Sequence, residues 1–168
     1  SPRPSMFWGG LNDNDIGTPE FMRFCDLVGA KPFICINMIT GTPENAAEWV
    51  AYCNLPASNP LAARRKQDGF AQPFAVKYWE LDNETYRRWD HRAYARRCVD
   101  FSKAMKAVDP DIKLVMVGYA DFLPHLSEML DIWKLAPGRA AGGGRGGGRS
   151  PLEALNLRPA GPRSGPPA

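Results

Sequence analysis

Apolar positions along the chain change period several times, and each change marks a boundary between a helix and a strand. In "GTPEFMRFCDLVGAKP" they recur at helical spacing, placing Phe21, Phe24, Cys25 and Val28 on one face. Thr18 offers an acceptor to the first free N–H groups, Pro19 suits the opening turn, and Gly29 with Pro32 closes the segment. The run "PFICINM" is apolar and β-branched without polar alternation, which predicts a strand buried on both faces. The order repeats at "GTPENAAEWVAYCN": Thr42 and Pro43 open a helix, and Ala46, Trp49, Val50 and Cys53 form its apolar stripe. A loop is predicted from Leu55 to Pro73, long enough to suggest a functional role. Next come a strand, "FAVKYWEL", and a helix from about Arg92 to Val108 with Tyr94, Cys98, Phe101, Met105 and Val108 on one side. After a stop at Asp109 and Pro110, "IKLVMVG" reads as a strand, and a last helix near Leu123 to Leu135 carries Leu126, Met129, Leu130 and Trp133.

Buried strands separated by helices must pair in parallel, because each helix returns the chain to the same end of the sheet. The fold class is therefore α/β. Periodicity alone leaves open an arc of a (β/α)8 barrel or part of an open doubly wound sheet. Neither G-x-G-x-x-G after a strand nor G-x-x-x-x-G-K-[ST] occurs.

The pattern ends near Leu135. Residues 1–135 form one expected domain. Residues 136–168 hold nine of the 16 glycines and six of the 16 prolines, a composition that cannot bury enough apolar surface to offset its ordering entropy. That tail is expected to be disordered, as a genuine extension or as text read out of frame.

Charge follows the same division. Residues 1–135 carry 16 basic against 17 acidic side chains, and residues 136–168 carry 5 against 1. A near-neutral body sets up no long-range field for a polyanion, so neither nucleic acid nor an anionic membrane is expected as partner. The basic "GGGRGGGR" resembles an RGG-type contact to single-stranded RNA, but it has no aromatic residue, and a solvated tail accounts for it equally. Cys25, Cys35, Cys53 and Cys98 are widely spaced within apolar patterns and read as reduced, buried side chains. No apolar run approaches the ~18 residues of a membrane span. The start, "SPRPSMFWGG", lacks a basic segment followed by an apolar one, although a chain beginning with Ser leaves its natural start, and any export signal, open. The compartment expected is the cytoplasm rather than the exterior.

The candidate chemistry lies where "VKYWELDNE" ends. Glu80, Asp82 and Glu84 alternate, and they would share one face if the extended conformation continued. They could simply solvate the strand end and favour the start of the next helix. The C-terminal ends of parallel strands are nonetheless where functional side chains gather. A carboxylic acid there, with aromatics such as Trp79, Tyr86 and Trp89 nearby, is placed to donate a proton, and Asn83 could bind a sugar hydroxyl.

Three blocks, "GTPEFMRFCDLVGAKPFICINMITGTPENAAEWVAYCN", "VKYWELDNE" and "FSKAMKAVDPDIKLVMVGY", resemble consecutive parts of the α-L-arabinofuranosidases of glycoside hydrolase family 51. The resemblance covers most of residues 9–132. It implies a partial (β/α)8 TIM barrel, about strands three to five with their helices, from enzymes in which a β-sandwich follows the barrel. It also implies a retaining mechanism on arabinose-containing oligosaccharides or polysaccharides. On that resemblance Glu84 is the general acid/base and Asn83 holds the sugar's 2-hydroxyl, while Asn37 and Trp79 support the pocket or serve only as core. Glu80 and Asp82 stand where the family more often has small residues. The nucleophilic glutamate follows the family's seventh strand, so none is expected in this chain. No cofactor is implied. His91 and His125 show no ligand spacing, so no metal site is expected. A longer parent enzyme is expected to form homo-oligomers.

Overall fold

The computed structural model describes residues 2–5, 9–85 and 88–134. Two short strands, β1 (Arg3–Pro4) and β2 (Leu11–Asn12), pair antiparallel ahead of the main unit. That unit runs α1 (Thr18–Val28), β3 (Phe33–Ile36), α2 (Pro43–Asn54), α3 (Pro60–Gln67), β4 (Tyr78–Leu81), α4 (His91–Val108) and β5 (Lys113–Met116). A 3₁₀ segment, Ala120–His125, leads into α5 (Leu126–Trp133). Strands β3, β4 and β5 form a parallel sheet in that order, with Ile34 level with Trp79 and Trp79 level with Leu114. Parallel strands joined by helices form an arc of a (β/α) barrel. The expected tail, residues 136–168, lies outside the described residues.

The two sheet faces differ sharply. Ile34, Ile36, Trp79 and Leu81 are buried with Val50 and Cys53 of α2 and with Tyr94, Cys98, Phe101 and Met105 of α4. Trp49 meets Trp79 edge to face, with ring centroids 6.0 Å apart. Removing Trp79 from such a setting costs about 3–5 kcal/mol. The opposite face carries Phe33, Cys35, Tyr78, Glu80, Lys113 and Val115. Phe33 keeps 46%, Tyr78 42% and Val115 39% of its surface in solvent. The expectation that β3 is buried on both faces is therefore corrected: Phe33 and Cys35 are exposed. This is the face a closed barrel turns inward, and it is buried only when further strands complete the ring.

Local signals decide the helix ends. Thr42 caps α2, its hydroxyl accepting from the Asn45 N–H at 3.2 Å, with Pro43 opening the helix. At α1 the cap is Gly17, one residue before Thr18, and the Glu20 carboxylate accepts from the Gly17 N–H at 2.8 Å. The Thr18 hydroxyl instead accepts from the Trp49 indole at 3.0 Å, tying α1 to α2. The buried side of α1 is Met22 and Cys25, whereas Phe24 and Val28 are exposed.

Part of the predicted loop from Leu55 to Pro73 is helix α3, capped by Asn59, which accepts from the Leu61 N–H at 3.0 Å. Its polar composition hides a fully buried Arg65. That guanidinium donates to the Tyr52 carbonyl at 2.5 Å and the Phe70 carbonyl at 3.3 Å, and lies over the Phe74 ring.

Candidate active site

Strand β4 stops at Leu81 because the backbone turns left-handed: φ is 64° at Asp82 and 51° at Glu84. L-residues seldom adopt this conformation, and such strain persists where surrounding contacts enforce it. The turn breaks the alternation expected of Glu80, Asp82 and Glu84. Glu80 remains on the exposed sheet face, half-buried beside Cys35. Asp82 is buried, and Asn83 and Glu84 are exposed beyond the strand end.

Asp82 enforces the turn. One carboxyl oxygen accepts from the Met38 N–H at 2.7 Å and the other from the Asn83 N–H at 2.8 Å. The first bond fastens the end of β4 to the loop after β3; the second fixes the peptide that carries Asn83. Arg97 of α4 donates to the Met38 carbonyl at 2.5 Å while its guanidinium lies over Trp89 and Phe101, at 4.8 and 5.7 Å from the ring centroids. The Tyr94 hydroxyl donates to the Leu81 carbonyl at 2.7 Å and accepts from the Val117 N–H at 2.8 Å, joining the ends of β4 and β5. Burial pushes the Tyr94 phenol up, so it stays a neutral donor.

Asn37 follows β3. Its side-chain oxygen accepts from the N–H groups of Ile39 (2.9 Å) and Thr40 (3.0 Å), and its amide donates to the Thr40 hydroxyl at 2.6 Å. Asn37 thus shapes the loop that Asp82 and Arg97 grip. Gly41 completes that loop, because a Cβ there would lie 2.4 Å from the Asn37 carbonyl oxygen. Trp79 is fully buried on the helix side of the sheet, its indole donating to the Val76 carbonyl at 3.1 Å. Asn37, Asn83 and Glu84 therefore gather at the C-terminal ends of neighbouring strands, and Trp79 backs them from the core. Tyr86 lies outside the described residues.

Beside the turn, partial burial and then the Glu80 and Asp82 charges push the Cys35 thiol up to about 12, which keeps it protonated at neutral pH. Sequence reasoning missed Tyr94 and Arg97 as supports. Both lie on α4, where Tyr94 read as part of the apolar stripe and Arg97 gave no signal; only the three-strand assembly brings them to the turn.

Residues 1–137 match the family model described as "Alpha-L-arabinofuranosidase 1 domain". The alpha-L-arabinofuranosidase C of Emericella nidulans is 38% identical over 121 residues, spanning 69% of this chain and 24% of that protein. The intracellular exo-alpha-(1->5)-L-arabinofuranosidase 1 of Bacillus subtilis is 32% identical over the same shares. Among solved structures, the alpha-L-arabinofuranosidase of Thermotoga maritima, determined as an arabinose complex, superposes with a TM-score of 0.69 at 36% identity, covering 72% of this chain and 26% of that one. The chain thus spans about a quarter of the length of these relatives.

Proposed function

We propose, since this chain belongs to the α-L-arabinofuranosidase family, glycoside hydrolase family 51, that it is the part of a retaining glycosidase barrel that supplies the general acid/base, Glu84. The substrates proposed are terminal non-reducing α-L-arabinofuranosyl units of arabinosides and hemicellulose oligosaccharides. The observation that carries this reading is the exposed Asn83–Glu84 pair at the C-terminal end of β4, in a left-handed turn held by the Asp82 carboxyl.

In this mechanism Glu84 gives its proton to the glycosidic oxygen as that bond breaks, while a second carboxylate attacks the anomeric carbon. Glu84 then takes a proton from the water that hydrolyses the glycosyl-enzyme. Asn83 holds the 2-hydroxyl, a contact that strengthens as the ring flattens toward the transition state. The two carboxyl groups of a retaining pair stand only ~5 Å apart. The second is proposed to come from elsewhere in a longer protein, so the 168 residues alone are expected to show no hydrolysis. Asn37 shapes the wall beside the sugar, and Trp79 keeps β4 in place behind it. Cytoplasmic location and homo-oligomerisation of the longer enzyme are part of the proposal, the former supported by the word "intracellular" in the name of the Bacillus subtilis relative.

The test is Glu84→Gln in the longer enzyme. Substrates with poor leaving groups need the proton and should lose about 10²–10⁴-fold in rate, whereas activated aryl arabinosides should lose far less in the glycosylation step. Equal losses on both substrate types in that step would remove Glu84 from the role.

A further inference from the structure

A second cluster of chemically capable side chains lies where α4 and α5 begin. His91 is the first residue of α4; His125 caps α5, and Glu128 stands three positions further on. One ligand atom from each of the three lies within 4.8 Å of the others. We propose that His91, His125 and Glu128 bind a divalent transition-metal ion of the zinc type, fastening the segment after β4 to the segment after β5.

The geometry is close to what such an ion requires. The His91 Nε2 and a Glu128 carboxylate oxygen are 3.1 Å apart, against about 3.3 Å for two ligands on a tetrahedral ion with bonds of about 2.0–2.1 Å. Two imidazoles and one carboxylate select ions of the zinc, cobalt or nickel type over calcium or magnesium, which prefer all-oxygen shells. The other Glu128 oxygen accepts from Arg92, which orients the carboxylate as partners behind a metal ligand do. That ion pair lies at the surface, so its positive charge is screened and opposes the ion only weakly.

One movement is needed. The His91 and His125 rings are stacked, centroids 3.8 Å apart and planes within 5°, so their lone pairs run parallel rather than toward a common point. His91 and Glu128 are half-buried and held by their bond, whereas His125 is exposed. Turning the His125 ring out of the stack lets its nitrogen converge with the others and leaves a fourth position for water.

The experiment uses the 168-residue chain, stripped of metal with a chelator and titrated with Zn²⁺ by calorimetry and with Co²⁺ by absorption spectroscopy. All three ligands lie in one protomer, so self-association of the chain leaves the site present. Cys53 and Cys98 are held as thiols, each pushed up to about 12, mainly by burial. The cobalt complex should accordingly show visible ligand-field bands without intense thiolate charge transfer. One equivalent should bind, and His125→Ala and Glu128→Gln should each weaken affinity about tenfold or more, at least what losing a supporting partner costs. Because His125 is exposed, His125→Ala should leave the far-ultraviolet circular dichroism of the metal-free chain unchanged. Absence of saturable binding, equal affinity in His125→Ala, or a thiolate band that survives that substitution would each overturn the proposal.

Discussion

Asp82 adopts a backbone conformation that costs most L-residues about 1–2 kcal/mol, and its carboxyl shows why the conformation persists. It satisfies the N–H groups of Met38 and Asn83, one on each side of the junction between the first two strands of the sheet. Asp82→Ala keeps the strained backbone and strands a buried N–H, so urea denaturation of the longer enzyme should show a loss of about 2 kcal/mol. Asp82→Gly loses the same bonds but relieves the left-handed turn, and should be about 1 kcal/mol less damaging. If the two variants proved equal, backbone strain at Asp82 would play no part. The residue pair proposed for the chemistry, Asn83 and Glu84, was legible as a candidate in the sequence because its spelling and its place after a strand coincide. The support from Asp82 was not, since its partner amide at Met38 belongs to another strand's loop.

Helix α4 works as a brace across the strand ends. Tyr94 spans β4 and β5, and Arg97 reaches back to the loop after β3. Tyr94→Phe keeps the ring but leaves the Val117 N–H without its acceptor; the expected cost is about 2 kcal/mol, with faster hydrogen exchange at Val117. Unchanged exchange there would contradict the brace. The start of α4 depends on pH. Asp90 accepts from the Ala93 N–H at 2.7 Å, and that bond holds its carboxyl below the ordinary carboxylate range. Glu128 is lowered by its bonds to Arg92 and then His91. Both folded-state values lie below the unfolded ones. The stability they contribute is present above the usual carboxylate pKa of about 4 and is lost as pH falls through the lower folded values. Acid titration followed by amide exchange should therefore loosen the start of α4 and its contact with α5 in that window, and Glu128→Gln should remove the part that passes through α5. The alternation of helices and strands was readable from period changes, and the α4 stripe of Tyr94, Cys98, Phe101 and Met105 is buried as its spacing required. Helix α3 was not readable, because its burial rests on alanine and on an arginine whose guanidinium donates to two carbonyls. The His91, His125 and Glu128 cluster was equally hidden, since no local spacing links the starts of two helices.

At the scale of the whole molecule, the sheet is covered on one face only. The outer edges of β3 and β5 carry no strand partner among the described residues, and Phe33, Tyr78 and Val115 face solvent. Unpaired edges beside exposed apolar side chains favour edge-to-edge association. The isolated chain should sediment as soluble oligomers; a single cooperative thermal transition from a purified monomer would contradict this. The relatives are about four times as long as the matched segment, consistent with a barrel whose remaining strands bury that face. The central claim is that this arc carries the acid/base half of a retaining pair, and azide rescue of Glu84→Ala in the longer enzyme tests it most directly. With the acid/base removed, an activated aryl arabinoside still forms the glycosyl-enzyme, and azide, which needs no general base, should restore turnover and release the α-arabinofuranosyl azide. No rescue, or release of the inverted β-azide expected when a nucleophile is deleted, would contradict the assignment of Glu84.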